Sequence, residues 1–363
     1  MSRSPHLLVV LSGHGFGHLA QTAPVLNALR RDLPALRLTI QCTLPATILH
    51  SQIEGDFQLI PETTDFGMIM ANALDVLAIE SLAAYQAFHA EWDTHLARQS
   101  TLLERLAPDL VLANIPYLPL AAAARLGIPA VALCSLHWTD ILEGYCPNHP
   151  DLPRLRATML DAYRSAQVFL RPAPSMPMPA LANTCPIGPI AAIGRDRRVQ
   201  INTRLGLDEG QTLVLIALGG IATCLPMERW PVIPGLCWLV PAAWEVKRSD
   251  ILCWEMMTDI PFVDLVRSCD VLLTKPGYGS FTEAACNSRP VVYVERGDWP
   301  EEPWLTAWLT EHGNAVRIDR ERLETGDLQD ALRAVLAQPR KAAIAPYGID
   351  EAVVCLREYL AIP

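Results

Sequence analysis

Short apolar runs alternate with segments of helical period along this chain, and the alternation starts twice. His6–Leu11 is the first run. Leu19, Ala23, Leu26 and Leu29 then recur at helical spacing, and Leu36–Thr43 reads as a second strand. Asp109–Ala113 is a buried strand, Leu120–Leu126 a helix ended by Gly127, and Pro129–Cys134 the next strand. Around residue 185 the pattern restarts. Cys185-Pro-Ile-Gly-Pro-Ile reads as a hinge, and Arg195–Arg204 is polar and basic. Thr212–Leu218 is a strand ending in Gly219-Gly220, followed by strands at Leu236–Val240, Val271–Thr274 and Val291–Val294. Helices are expected over Thr282–Cys286, Asp327–Ala337 and Asp350–Leu360. Alternation of this kind calls for parallel sheets covered by helices on both faces. The expectation is an α/β chain of two Rossmann-like domains, residues 1–185 and 186–345, with a closing helix over 346–363 packing back toward the first. The ligand site then belongs in the cleft between them, at the carboxyl ends of the strands.

Composition narrows the partners. A chain of 363 residues, 51% of them apolar, can bury a core in each half. The net charge is −10, and no basic cluster exceeds Arg195-Asp196-Arg197-Arg198, which argues against nucleic acid and against an anionic membrane surface. The apolar run Leu7–Leu11 is too short for a signal peptide. Pro172–Gly194 is the longest uncharged stretch, but prolines and polar residues break it, so it reads as a loop or linker. Leu110–Ala124, Gln211–Met227 and Trp230–Trp244 each fall below the roughly 18 residues that suggest a membrane span. The last of these lines the core or forms an interface. Ten cysteines without a CxxC pair or ligand spacing read as reduced and mostly buried, in a cytoplasmic protein.

Two glycine turns carry the chemistry. The first lies in "LSGHGFGHLAQTAPVLNAL", Leu11 to Leu29. Gly13 and Gly15 fit a dinucleotide fingerprint, but the place of its third glycine is held by His18, and Gln41-Cys42-Thr43 offers no carboxylate for a ribose. NAD(P) is therefore not expected. Glycines there let the backbone pass close to a ligand or loop. His14 and His18 suit proton abstraction from a hydroxyl, or they satisfy loop carbonyls. The second turn lies in "TKPGYGSFTEAACNSRPVVYVERGDWPEEP", Thr274 to Pro303. A strand-to-helix turn with Gly277 and Gly279 can aim backbone N–H groups at a phosphate. Lys275 adds charge and Ser280 a donor, Glu283 can accept from ribose hydroxyls, and Glu301 and Glu302 can accept from a sugar. A surface lysine on a structural turn is the plainer alternative.

These stretches together resemble the GT-B superfamily of nucleotide-sugar glycosyltransferases. Gly17-His18-Leu19, with Pro24 soon after, is similar to their N-terminal glycine–histidine turn. "TKPGYGSFTE", Thr274 to Glu283, resembles the plant UDP-glycosyltransferase donor signature: threonine, histidine, cysteine, glycine, tryptophan, asparagine, serine, two variable residues, glutamate. "SGHGFGH", "LGLDEGQTLVLIALGG", "PGLCWLV", "KPGYGSFTEA" and "EEPWL" resemble, in order, the glycosyltransferase-like half of plant L-arabinokinases and its stand-alone bacterial relatives, from about residue 6 to about residue 325. Nothing resembles the phosphate loop of their kinase half, so sugar kinase activity is not expected.

The resemblance implies a metal-independent transfer of sugar from a nucleotide sugar, a UDP-sugar by preference, to an acceptor, with no cofactor beyond the donor itself. Lys275, Gly277, Tyr278, Gly279 and Ser280 would surround the pyrophosphate, with Gly219 and Gly220 closing from the other side. Glu283 would hold the ribose, and Glu301 and Glu302 the sugar. His18 would be the general base, with His14 the second candidate, and Gly15, Asp65, Met68, His137 and Trp138 would line the acceptor site. The departures are specific. Lys275 stands where the plant enzymes place a histidine, Gly279 replaces an asparagine, and Met257 falls where a tryptophan stacks on uracil. Asn114 falls where an aspartate orients the catalytic histidine, so the His18 pKa is expected near its ordinary value. Glu301-Glu302 approximates an Asp-Gln pair after a two-residue insertion. A UDP-sugar 2-epimerase shares the architecture, but its Gly-Thr-Arg-Pro-Glu turn is absent. A non-catalytic nucleotide-sugar-binding module is the third reading.

Overall fold

The computed structural model describes residues 4–221 and 223–360; residues 1–3 and 361–363, the outer ends of the first and last expected segments, lie outside them. Two parallel sheets form the frame. The first holds β1 (His6–Leu11), β2 (Arg37–Gln41), β3 (Gln58–Ile60), β4 (Leu110–Asn114), β5 (Ala130–Leu133), β6 (Val168–Pro172) and β7 (Thr184–Ile187), in the order β3-β2-β1-β4-β5-β6-β7. The second holds β8 (Thr212–Ala217), β9 (Leu236–Val240), β10 (Ile251–Cys253), β11 (Val271–Thr274), β12 (Val291–Val294) and β13 (Ala315–Ile318), in the order β10-β9-β8-β11-β12-β13. The order reverses between β1 and β4 in one sheet and between β8 and β11 in the other. These are the crevices where α/β folds place ligands.

Each sheet is buried on both faces, which is why its central strands are unbroken apolar runs. In β1, Leu8 and Val10 enter one core cluster, while Leu7, Val9 and Leu11 enter the opposite one. In β8, Val214 and Ile216 oppose Leu213, Leu215 and Ala217 in the same way. The expected central strands are present within a residue or two. The strands absent from the sequence reading are β3, β6, β7, β10 and β13. Most are short or half-exposed edge strands, and β6 and β7 carry prolines, so none presents a long apolar run. The stretch read as a hinge from Cys185 onward therefore begins inside β7, and the Pro172–Gly194 segment is not simply a linker. Trp230, Trp238 and Trp244 are buried in the second core.

The last helix, Gly348–Tyr359, lies on the first half. It buries Ala352, Val353 and Leu356 in the cluster that holds Leu19 and Leu26 of helix Gly17–Asp32. Arg357 Nη1 pairs with Asp32 Oδ2 at 3.1 Å. The two halves also meet directly where helix Gly17–Asp32 crosses helix Tyr278–Cys286. A Cβ at Gly279 would lie 2.8 Å from the Ala20 methyl, so only glycine permits that crossing. Ten free cysteines are present, and among the described residues no helix is long and apolar enough to cross a membrane.

Candidate active site between the two switch points

His18 sits in the first turn of helix Gly17–Asp32, just past β1, and Asn114 is the last residue of the neighbouring β4. His18 Nδ1 lies 2.9 Å from Asn114 Oδ1. The surrounding bonds fix the direction of this contact. Thr22 Oγ1 donates to the His18 carbonyl (2.9 Å), so it accepts from Asn114 Nδ2, also at 2.9 Å. Nδ2 also faces Gln21 Oε1 at 3.3 Å and the His18 carbonyl at 3.4 Å, both acceptors. The amide nitrogen therefore points away from the imidazole, and the oxygen can only accept. His18 Nδ1 carries the proton, and Nε2 keeps its lone pair with no hydrogen-bond partner among the described residues.

Burial lowers the His18 pKa to about 4, only partly offset by the Asn114 bond. This corrects the expectation of an ordinary value. The missing carboxylate was read correctly, but full desolvation of the ring, which disfavours the imidazolium, was not legible in the sequence. His14 is lowered further, to about 3, by burial first and then by the charges of His18, Lys275 and Arg296, against a hydrogen bond to the Met68 backbone. Gly67, at φ +62°, makes room for that ring, since a Cβ there would fall 2.7 Å from His14 Cγ. His14 is edge-on to Trp138 and parallel to Trp299 of the other half. Trp138 is fully buried, and its Nε1 donates to Asp65 Oδ2 at 2.7 Å. Burial raises Asp65 to about 6, while bonds from Trp138 and Ser12 pull the other way. His14, Asp65, Met68 and Trp138 thus form one polar–aromatic wall.

Across the cleft, Lys275 follows β11 at the second switch point. Its ammonium has no hydrogen-bond partner among the described residues, and burial, aided by Arg296, lowers it to about 7 against the pull of Glu301 and Glu302. Gly219, at φ +89°, packs beside its chain, with the Cβ position 3.5 Å from Lys275 Cε. Gly277 caps helix Tyr278–Cys286, and Ser280 lies in its first turn. The Glu283 carboxyl has no partner among the described residues, and burial raises it to about 7. A buried cation, a helix N-terminus and a carboxyl without a side-chain partner suit a diphosphate with an attached ribose.

A chain of side chains joins the two halves. Gln21 Nε2 donates to Ser135 Oγ (2.9 Å), Ser135 Oγ donates to Glu301 Oε1 (2.6 Å), and Trp299 Nε1 donates to Glu301 Oε2 (3.1 Å). Through Gln21 it reaches Asn114 and so His18.

Several expected contacts have other work. The Tyr278 hydroxyl donates to the Ala173 carbonyl and accepts from Ile190 N–H, both at 3.0 Å, so it is a strut between halves. Gly279 serves the helix crossing. Gly220 lies against the Phe16 ring of the other half, where a Cβ would be 3.1 Å away. Glu302 accepts from the backbone N–H groups of Arg296 (3.0 Å) and Gly297 (3.1 Å), so it braces its own loop. His137 is buried, with Nδ1 accepting from Asp140 N–H at 3.3 Å and Nε2 3.1 Å from Asp140 Oδ2, so it caps helix Trp138–Tyr145. Met257 packs in the second core and offers no stacking face. The residues missed by the sequence reading are Gln21, Ser135, Arg296 and Trp299. Ser135 and Arg296 lie just past the carboxyl ends of β5 and β12, the place such folds reserve for ligand contacts, and that position was the available signal. Among the described residues no group of three metal-ligating side chains gathers.

No family model matches the chain. The L-arabinokinase of Arabidopsis thaliana is 25% identical over 353 residues, 93% of this chain and 33% of that protein. The chain thus spans about a third of the length of that relative. Among solved structures, the glycotransferase of kitacinnamycin superposes with a TM-score of 0.62 at 17% identity, covering 99% of this chain and 95% of the other. A UDP-glucosyltransferase from Polygonum tinctorium, described as capable of glucosylating indoxyl, superposes with a TM-score of 0.58 at 14% identity, covering 99% of each chain. The fold is GT-B, with two parallel α/β sheets.

Proposed function

From a GT-B chain with a base-ready histidine across the cleft from an unpaired lysine, we infer a glycosyltransferase that moves a sugar from a UDP-sugar to a hydroxyl acceptor without a metal. The observation that carries this reading is the fixed His18 tautomer, whose free Nε2 belongs to a histidine at one switch point while Lys275 stands at the other. Lys275, Gly277, Ser280 and the helix N-terminus hold the diphosphate, Glu283 the ribose, and Glu301 the sugar. The acceptor lies along His14, Asp65, Met68 and Trp138. Nε2 takes the acceptor proton as its oxygen bonds to the anomeric carbon. The bond from that carbon to the phosphate oxygen breaks, and the charge arriving on the nucleoside diphosphate is met by Lys275 and the helix terminus. A base of pKa about 4 is neutral at physiological pH but weak, so its contribution belongs at the low end of ~10²–10⁴-fold. The similarity to named glycosyltransferases supports the reaction class. Ten free thiols support a cytoplasmic setting. Release of UDP from a panel of UDP-sugars, with and without an acceptor panel, tests the proposal. Acceptor-dependent release supports it, whereas epimerised sugar without transfer, or binding without turnover, contradicts it.

A further inference from the structure

Arg296 is a buried cation of the cleft that the donor and acceptor roles leave unused. It lies two residues past β12, the strand beside β11, and is only 6% exposed. Its guanidinium carbon sits 4.1 Å over the Trp299 ring. Its Nε and Nη2 are buried and have no hydrogen-bond partner. Burying donors without acceptors is costly, so a natural protein keeps such a group where a ligand completes it.

The nearby acids do not complete it. Glu302 is turned to the backbone N–H groups of Arg296 and Gly297, and Glu301 to Ser135 and Trp299. Asp298, Glu301, Glu302 and the Tyr145 hydroxyl lie within electrostatic range, but none forms a hydrogen bond with the guanidinium. The main chain is pinned on both sides. The Arg296 N–H donates to Glu302, and its carbonyl accepts from Arg320 Nη2 at 2.8 Å, an arginine itself paired with Asp75 of the first half. The backbone that carries the fork is therefore anchored, and the fork itself rests on the Trp299 ring.

Position selects the ligand group. Lys275, on the adjacent strand, is the cation for the diphosphate. Arg296 shares its loop with Glu301, which reaches across to Ser135, and its charge is felt at His14 on the acceptor wall. The unfilled guanidinium thus stands between the phosphate position and the acceptor half, where the transferred sugar belongs. A planar fork with adjacent free donors matches a carboxylate, which it can bind through two parallel bonds.

We propose that Arg296 receives a sugar carboxylate, so that this cleft works on a uronic acid in preference to a neutral hexose. The inference rests on the donor-site reading above. Its carboxylate has two sources, the sugar of the nucleotide donor or an acidic sugar acceptor.

Calorimetry with the full chain separates them. The probes are UDP, UDP-glucose with UDP-glucuronate, and UDP-galactose with UDP-galacturonate, each titrated into wild type, R296Q and R296K. A donor carboxylate predicts that wild type binds one uronate at least tenfold tighter than its neutral partner. R296Q should erase that preference and leave UDP affinity within twofold, and R296K should restore it only in part. An acceptor carboxylate predicts equal donor affinities in each pair. Free glucuronate or galacturonate should then bind the UDP-loaded protein and fail to bind UDP-loaded R296Q. R296Q gives up the contact with the Trp299 ring, so its melting is measured beside its binding, and the wild-type preference is readable without any variant. UDP binding with no carboxylate preference in either arm would overturn this proposal alone. Failure of wild type to bind UDP or any UDP-sugar would overturn the donor reading, and this proposal with it.

Discussion

Asn114 Oδ1 accepts the Nδ1 proton of His18 over 2.9 Å, and this bond leaves Nε2 as the nitrogen with a lone pair for the proposed acceptor. An amide does here what a carboxylate does in a dyad, but without the charge that would stabilise an imidazolium. Asn114→Asp should raise the His18 pKa from its lowered value near 4 by about 1–3 pH units, because an opposite charge at contact favours the charged ring. The acid limb of the transfer rate should move up by the same interval. Below that limb the base is protonated and turnover falls; above it the rate is flat until another group titrates. A pH–rate profile of Asn114→Asp with an unmoved acid limb would separate Asn114 from the base.

Asn114→Ala removes both ends of the bond network at once. The Nδ1 proton of His18 loses its acceptor and Thr22 loses a donor, both in a fully buried place. The expected loss is about 1–3 kcal/mol of folding stability. Urea denaturation at neutral pH reads it directly.

Lys275 gives donor binding a pH dependence of known sign. Its pKa in the empty cleft is about 7, and a diphosphate favours the protonated form. Between pH 7.5 and 9 the free protein has mostly lost that proton, so binding must take one up. Affinity for a nucleotide sugar should therefore fall as pH rises through this window. Titrations in two buffers of different ionisation enthalpy should report uptake approaching one proton. Lys275→Ala should weaken binding by an amount equivalent to about 1.5–3 kcal/mol at pH 7 and abolish the proton uptake. A variant that keeps the uptake would place the titrating group elsewhere.

Ser135 reaches across the cleft to Glu301 at 2.6 Å, so it ties the proposed sugar contact to the half that holds His18. Ser135→Ala should leave the affinity for UDP within twofold while lowering transfer, because the Ser135 hydroxyl bonds to Gln21 and Glu301 and to none of the residues proposed to hold the nucleotide. Equal losses for UDP and for a UDP-sugar would mean that the bond holds the fold and not the sugar.

Gly279 offers a contrast. Its Cβ position collides with the Ala20 methyl at 2.8 Å, a contact between two helix backbones that cannot swing away. Gly279→Ala should cost about 1–3 kcal/mol through overpacking, measured by thermal or urea melting. The protein that remains folded should still bind UDP. If stability is unchanged and UDP affinity falls, the glycine belongs to the phosphate after all.

The frame of this protein was legible because its central strands are buried on both faces and so appear as plain apolar runs. β1, β9, β11 and β12 match their expected limits residue for residue. Edge strands such as β3 and β13 were not legible, because half-exposed strands of three or four residues carry no such run. At the candidate site, the two glycine turns carry a local pattern that the sequence shows directly. What local pattern cannot convey is which face a side chain takes once helices pack. Tyr278 and Gly279 lie in the right motif yet serve the contact between halves. Ser135 and Arg296 lie outside any motif yet enter the cleft, and the extent of His18 burial depends on Trp138 and Cys134, far away in sequence.

The central claim is that His18 draws the proton from an acceptor hydroxyl while Lys275 and its helix terminus hold the donor. The most direct test is the rate of sugar transfer by His18→Ala, measured at saturating donor beside its donor affinity. The account predicts turnover lower by ~10²-fold or more, toward the foot of the usual range for base catalysis, with donor affinity within twofold of wild type. Wild-type turnover in His18→Ala, with the donor still bound, would contradict it and leave the histidine as a packing residue of the first turn.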